Sequence, residues 1–204
     1  MRYFTSDLHF YHQFVYKKFR SEYSTIEDMH EGLIRDWNQK VRSHKDVVFV
    51  IGDVSFGNYE QTKAVIERLN GKKILIRGNH DERFTSAHFI QMGFIDVRDQ
   101  FLLKCNGQRI LLSHFPYASP IKYLLKSLRS RRKVNYYSLY PAYKGLRLIH
   151  GHHHSGPVTT FRSVNVAWDI HRKLLSEPEV LQLFEQNEQS RLSLFLQRLL
   201  SCFW

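Results

Sequence analysis

Five apolar runs in this chain each end in a short polar cluster, and that repetition constrains the fold more than any other feature. The clusters are SDLH (6–9), IGDV (51–54), RGNHD (77–81), LSHF (112–115) and HGHHH (150–154). A short apolar run closed by polar or glycine residues reads as a buried strand. Helical patterns separate the early runs. In STIEDMHEGLIRDWNQKV, Ser24 and Glu27 have capping-box spacing, and Ile26, Met29, Leu33, Ile34, Trp37 and Val41 recur at helical intervals. YEQTKAVIERLNGKK reads as a second helix stopped by Asn70-Gly71, and a third is expected near 82–91. Later, FLLKC and RILLSH flank Asn106-Gly107, a hairpin signal, and LRLIH and SVNVAW read as strands. Strand–helix alternation early and hairpins late predict an α/β fold: a β-sandwich of two mixed sheets flanked by helices, in one domain over 1–204.

All five clusters supply metal-ligand chemistry, and in α/β sheets ligands bind at the carboxyl ends of strands. Residues i and i+2 of an extended segment share a side, so Asp7 and His9 face one point while Leu8 turns into the core. The same rule pairs His152 with His154 and sends His153 elsewhere. Carboxylate, imidazole and amide oxygen together suit first-row divalent ions, and no cysteine pair is present to build a closed structural zinc site.

The ordered set DLH (7–9), GD (52–53), GNHD (78–81), His114 and GHHH (151–154) resembles the signature of the calcineurin-like metallophosphoesterases. The DLHFYH opening and the VNVAWDI segment are similar to small, single-domain bacterial and phage members. That resemblance implies two divalent metal ions, with Mn favoured and Fe, Zn, Ni or Co as alternatives. Asp7, His9 and His154 would hold one ion; Asn79, His114 and His152 the other, with Asp53 bridging. His80, held by Asp81, would touch the scissile phosphate or protonate the leaving group. It further implies hydrolysis of a phosphoester by a hydroxide between the ions, phosphodiesters being favoured over monoesters. His12 is the candidate substrate contact. His150 is assigned to structure, with support of a ligand as its second role; His30, His44, His88 and His171 are assigned to packing or surface, and Arg77 and Asp169 to structure.

Charge bears on the substrate. The chain carries 30 Lys+Arg against 19 Asp+Glu, a formal net charge of +11. Much of it sits in KYLLKSLRSRRK (122–133), an expected amphipathic helix near Tyr123, Tyr136, Tyr137, Tyr140 and Tyr143. Cations interleaved with aromatics suit a nucleotide, RNA or single-stranded DNA, and a solvated face is the plain alternative. A nuclease and a non-catalytic metal-binding scaffold are therefore the competing functions. Leu192, Phe195, Leu196, Leu199, Leu200 and Phe203 form an apolar stripe on an expected helix near 190–204. Packing on its own domain, a homodimer interface and a membrane-surface contact are its possible uses, in that order. No apolar run is long enough to span a membrane or begins as a secretory signal, so a cytoplasmic enzyme is expected.

Overall fold

The computed structural model describes residues 1–118 and 139–201. The expected strands form where the apolar runs lie. They are β1 (Arg2–Thr5), β2 (Val47–Val50), β3 (Lys72–Ile76), β4 (Phe94–Arg98), β5 (Gln100–Cys105), β6 (Gln108–Ser113), β7 (Arg147–His150), β8 (Thr159–Thr160), β9 (Ser163–Asn165) and β10 (Leu175–Ser176). The helices are α1 (Gln13–Phe19), α2 (Ile26–Lys40), α3 (Tyr59–Glu67), α4 (Ser86–Gln91), α5 (Trp168–His171) and α6 (Glu177–Ser201). One sheet has the order β10-β1-β2-β3-β4, the other β5-β6-β7-β9-β8. In the first, β1 to β4 run parallel with β10 antiparallel; in the second, β6, β7 and β9 run parallel between antiparallel β5 and β8. Both sheets are mixed, as expected.

Strand alternation divides the core in two. Tyr3, Val48, Val50 and Leu75 join Met29, Leu33 and Trp37 of α2 in one cluster. Phe4, Phe49, Ile51 and Ile76 join Leu103, Ile110, Leu112, Ile149 and Val164 in the other, between the sheets. The central strands are thus covered on both faces, which is why they read as unbroken apolar runs. Parallel pairing then brings the carboxyl ends of β1, β2 and β3 to one edge. The N–H of Gly151 donates to the carbonyl of His114 at 3.1 Å, joining the ends of β6 and β7 as well.

Several boundaries differ from expectation. Thr25, not Ser24, caps α2, in a reciprocal box with Asp28. The helix expected over 82–91 breaks into a 3₁₀ turn, Asp81–Arg83, and α4, because Thr85 caps a new start. Asn106 and Gly107 both have positive φ (46° and 75°), the backbone that a tight hairpin turn requires. α6 begins at Glu177, well before 190, and gives Val180 and Phe184 to the inter-sheet core. The basic segment 122–133 and Phe203 lie outside the described residues, as do the side chains of Leu192, Phe195, Leu196, Leu199 and Leu200. Among the described residues, no helix is long and apolar enough to cross a membrane.

Candidate metal centre

The chain leaves β1 through left-handed residues in alternation: Asp7 at φ 57°, His9 at φ 49° and Tyr11 at φ 62°. Such backbone is unfavourable outside glycine, so the surroundings must hold it. The N–H groups of Asp7 and His9 donate to the carbonyls of Gly52 (2.9 Å) and Asp53 (3.0 Å). Arg20, wholly buried, donates to the carbonyls of Asp7 (2.6 Å) and Leu8 (2.5 Å). The N–H of Tyr11 donates to Nε2 of buried His30 at 2.8 Å, which gives that packing histidine a definite task. Asp7 and His9 do face one place, with Leu8 in the core. The cause is this left-handed zigzag rather than the extended pleat expected from the sequence.

Seven of the predicted residues are brought together. Nε2 of His9 lies 3.1 Å from Nε2 of His154, and each is 3.7 Å from Oδ1 of Asp7. Beside them, Nε2 of His114 is 3.2 Å from Oδ1 of Asn79 and 3.3 Å from Nδ1 of His152. Asp53 stands between the two groups, its Oδ2 being 3.6 Å from Nε2 of His9 and 3.5 Å from Nε2 of His114. Asp7 is close enough to Asp53 and His114 to be grouped with them also. His152 and His154, two positions apart, thus serve different halves of the cluster.

These atoms carry lone pairs that face one another, which is repulsive unless a proton or a cation lies between. Separations of about 3–3.5 Å are the polyhedron edges expected when each donor sits ~2.0–2.2 Å from a central ion. Oδ1 of Asp7 supplies an independent check. It is buried with no hydrogen-bond partner, while Oδ2 accepts from the hydroxyl of Ser6 (2.6 Å) and the N–H of His152 (2.9 Å). A buried carboxylate oxygen without a donor is costly, and a cation removes that cost. The residues present fit divalent cations.

Close packing and outer partners aim the donors. Gly52 has φ 84°, and a Cβ there would overlap the ring of His114. A Cβ on Gly151 would overlap Oγ of Ser6 and come within 2.5 Å of Oδ2 of Asp7. Nδ1–H of His114 donates to the carbonyl of Ile51 at 2.8 Å, which turns the Nε2 lone pair inward. Nδ1–H of His154 donates to Oδ2 of Asp169 at 2.6 Å. Asp169 in turn accepts from Nε (2.8 Å) and Nη2 (3.1 Å) of Arg20. One buried guanidinium therefore fixes both the Asp7–Leu8 backbone and the carboxylate that orients His154. The sequence reading gave Asp169 a merely structural place and passed over Arg20. The only signal was the position of Asp169 in the VAWDI segment already tied to the family.

An Asp169→Asn chain keeps the shape but must point an amide N–H₂ at a neighbouring donor. Outer-partner substitutions of this kind cost about 10–100-fold in metal affinity. Isothermal titration with Mn²⁺ is expected to show that loss in the variant, and an unchanged affinity would remove Asp169 from the account.

One predicted residue takes a different place from that expected. Asp81 was assigned to hold His80, yet its oxygens accept the N–H groups of Asp53 (2.8 Å), Val54 (3.0 Å) and Gly78 (2.8 Å). The turns at 52–54 and 78 leave backbone donors that need an acceptor, and that demand outweighs adjacency in sequence. His80 is half-exposed at the rim. Its N–H donates to Oδ1 of Asp53 at 3.0 Å, and its Nε2 is 3.9 Å from Oδ2 of that residue. His12 lies beside it, ring centroids 6.1 Å apart, with Phe56 packed against both. Buried His150 donates from Nδ1 to the carbonyl of Gly151, and exposed His153 occupies the variable position. Arg77 is tied to Asp99 at 2.6 Å and not directed at the centre.

Burial and charge set the protonation of the cluster. Burial lifts the carboxyl of Asp53 to about 7, reinforced by Asp7 and Asp81 and opposed by His114. Burial also presses His9 and His152 down to about 3. Burial opposes the charge of Asp7, but the close imidazole of His9 and those of His114 and His154 hold it well below the usual carboxylate range. His114 goes the other way: burial lowers it, and the carboxylates of Asp53 and Asp7 outweigh that and raise it.

The sequence pattern of the calcineurin-like phosphoesterases matches residues 3–188. An uncharacterized protein of Methanocaldococcus jannaschii, MJ1445, is 29% identical over 199 residues, which are 93% of this chain and 94% of that protein. The crystal structure of a protein of unknown function from Aquifex aeolicus, AQ665, superposes with a TM-score of 0.63 at 26% identity. The match covers 90% of this chain and 98% of that one.

Proposed function

This chain belongs to the calcineurin-like phosphoesterases, a family of metal-dependent phosphoester hydrolases, and on that premise we propose that it cleaves a phosphodiester of a nucleotide or other small molecule. Two divalent cations would be held, one by Asp7, His9 and His154, the other by Asn79, His114 and His152, with Asp53 shared. The carrying observation is the position of Asp53 between two sets of inward-facing donors. When bound, such cations neutralise phosphoester oxygens and make a water acidic enough to attack at neutral pH.

The chain's own groups do the rest. Asp7 and Asp53 confine negative charge to the floor of the site. Asn79 adds an oxygen without adding charge. His80 stands at the rim, where burial first, and then the charges of His12 and His114, depress it to about 4. It therefore meets substrate as a neutral imidazole, able to donate an N–H to a phosphate oxygen as charge builds there. Protonation of the leaving group would draw on the same nitrogen after the phosphate's negative charge has raised its basicity. The diester preference is tested by hydrolysis of bis-p-nitrophenyl phosphate against p-nitrophenyl phosphate, with Mn, Ni, Co, Zn or Mg returned to stripped protein. Faster turnover of the monoester with every metal would reverse that preference.

Ligand imidazoles of ordinary basicity would place loss of activity below pH ~6, where they take up protons. With His9 and His152 pressed to about 3, that limb passes instead to Asp53 at about 7 and to the raised His114. Both must lose a proton to take a cation, so affinity falls as pH drops through about 7. The expected slope is about tenfold per pH unit for each proton displaced. Titration with Mn²⁺ in two buffers of different ionisation enthalpy would count the released protons near pH 6.5. Affinity that stays level from pH 8 to 5.5 would contradict the assignment.

A further inference from the structure

Resting on the phosphodiester reading, we infer that the α1 side of the centre is a base-stacking subsite, built to take the nucleobase of a nucleotide substrate. A row of flat rings runs outward from His80. Phe56 lies 4.6 Å from His80 and 3.8 Å from His12, centroid to centroid. Phe14 follows, 6.4 Å from His12 and 61% exposed. Isolated exposed aromatics need no explanation. This one ends a continuous row whose other end touches the metal cluster, since His9 is 5.1 Å from His12 and 5.6 Å from His80.

Cations flank the row, the first being the guanidinium of Arg83, 5.8 Å from the Phe56 centroid. Nζ of Lys18 is 5.3 Å from the Phe14 centroid and 5.1 Å from that of Phe19, which itself stacks on His154 at 4.9 Å. Helix geometry accounts for the placement. In QFVYKKF, Val15 is the buried anchor of α1, while Phe14 and Lys18, four positions apart, share the exposed face. A row of half-buried rings that ends in an exposed one, with adjacent cations, beside a phosphate-handling centre matches a base and its phosphate held together. A sugar phosphate without a base would leave that row uncovered.

The test is binding, which needs no turnover. Mn-loaded protein is titrated calorimetrically with AMP and with ribose 5-phosphate. AMP should bind about 5- to 150-fold tighter, the range that stacking on one ring supplies. Phe14→Ala should lose most of that preference and leave ribose 5-phosphate unchanged, and Phe14→Tyr should restore it. Equal affinity for the two ligands, or a preference that survives in Phe14→Ala, would overturn the subsite. Hydrolysis of bis-p-nitrophenyl phosphate by the same preparation reports on the phosphodiester reading separately. Turnover without AMP preference sinks only the subsite, and absence of binding by either compound sinks it too.

Discussion

Asp53→Asn is expected to abolish phosphoester hydrolysis and, in the absence of metal, to raise the melting temperature. The two effects come from one atom group. Oδ2 of Asp53 faces His9 at 3.6 Å and His114 at 3.5 Å, so an amide there withdraws the shared charge from both donor sets. Loss of metal-derived charge stabilisation, several kcal/mol, corresponds to about 10³-fold or more in rate. The stability effect has the opposite sign. Burial raises the native carboxyl to about 7, far above its unfolded value. The native state therefore prefers the neutral form. Its contribution to stability is present at pH below ~4 and lost as pH rises through about 7. At pH 8 with chelator the wild-type fold bears that cost in full, and asparagine relieves it while keeping an oxygen for the N–H of His80. A lower melting temperature for Asp53→Asn under those conditions would show that the carboxylate is not destabilising.

His80→Ala is expected to reduce kcat by about 10²–10⁴-fold while leaving metal binding intact. His80 lies at the rim, its Nε2 3.9 Å from Asp53, whereas neighbouring donor atoms of the cluster lie 3.1–3.7 Å apart. The leaving group separates its two possible tasks. If His80 protonates it, the loss is larger for an alkyl leaving group, which needs the proton, than for p-nitrophenolate, which does not. If the N–H serves a non-bridging oxygen, the two losses are equal. Loss of both activity and metal would move His80 into the ligand set.

These outcomes bear on how much of the molecule a sequence discloses. The strands were legible because β1, β2 and β3 are buried on both faces, which forces uninterrupted apolar runs. The donors were legible because each strand end carries its chemistry locally, as in Asp7-Leu8-His9. What failed was what depends on contacts across the chain or on backbone needs. Asp81 is next to His80, but the unsatisfied N–H groups of Asp53, Val54 and Gly78 claim it. Arg20 and Asp169 are 149 residues apart and meet only in the folded chain. The left-handed φ of Asp7 and His9 left no mark in the sequence, because neither is glycine. Asp7 and His9 face one place through a backbone that does not follow the extended alternation.

On the proposed reading, hydrolysis depends on cations held between the two donor sets. The most direct measurement titrates metal-stripped protein with Mn²⁺ while following both binding and hydrolysis of bis-p-nitrophenyl phosphate. The expected result is no turnover without metal, and activity that reaches its plateau as the second ion per chain binds. Full turnover in excess chelator, or a plateau reached before any ion is bound, would contradict it.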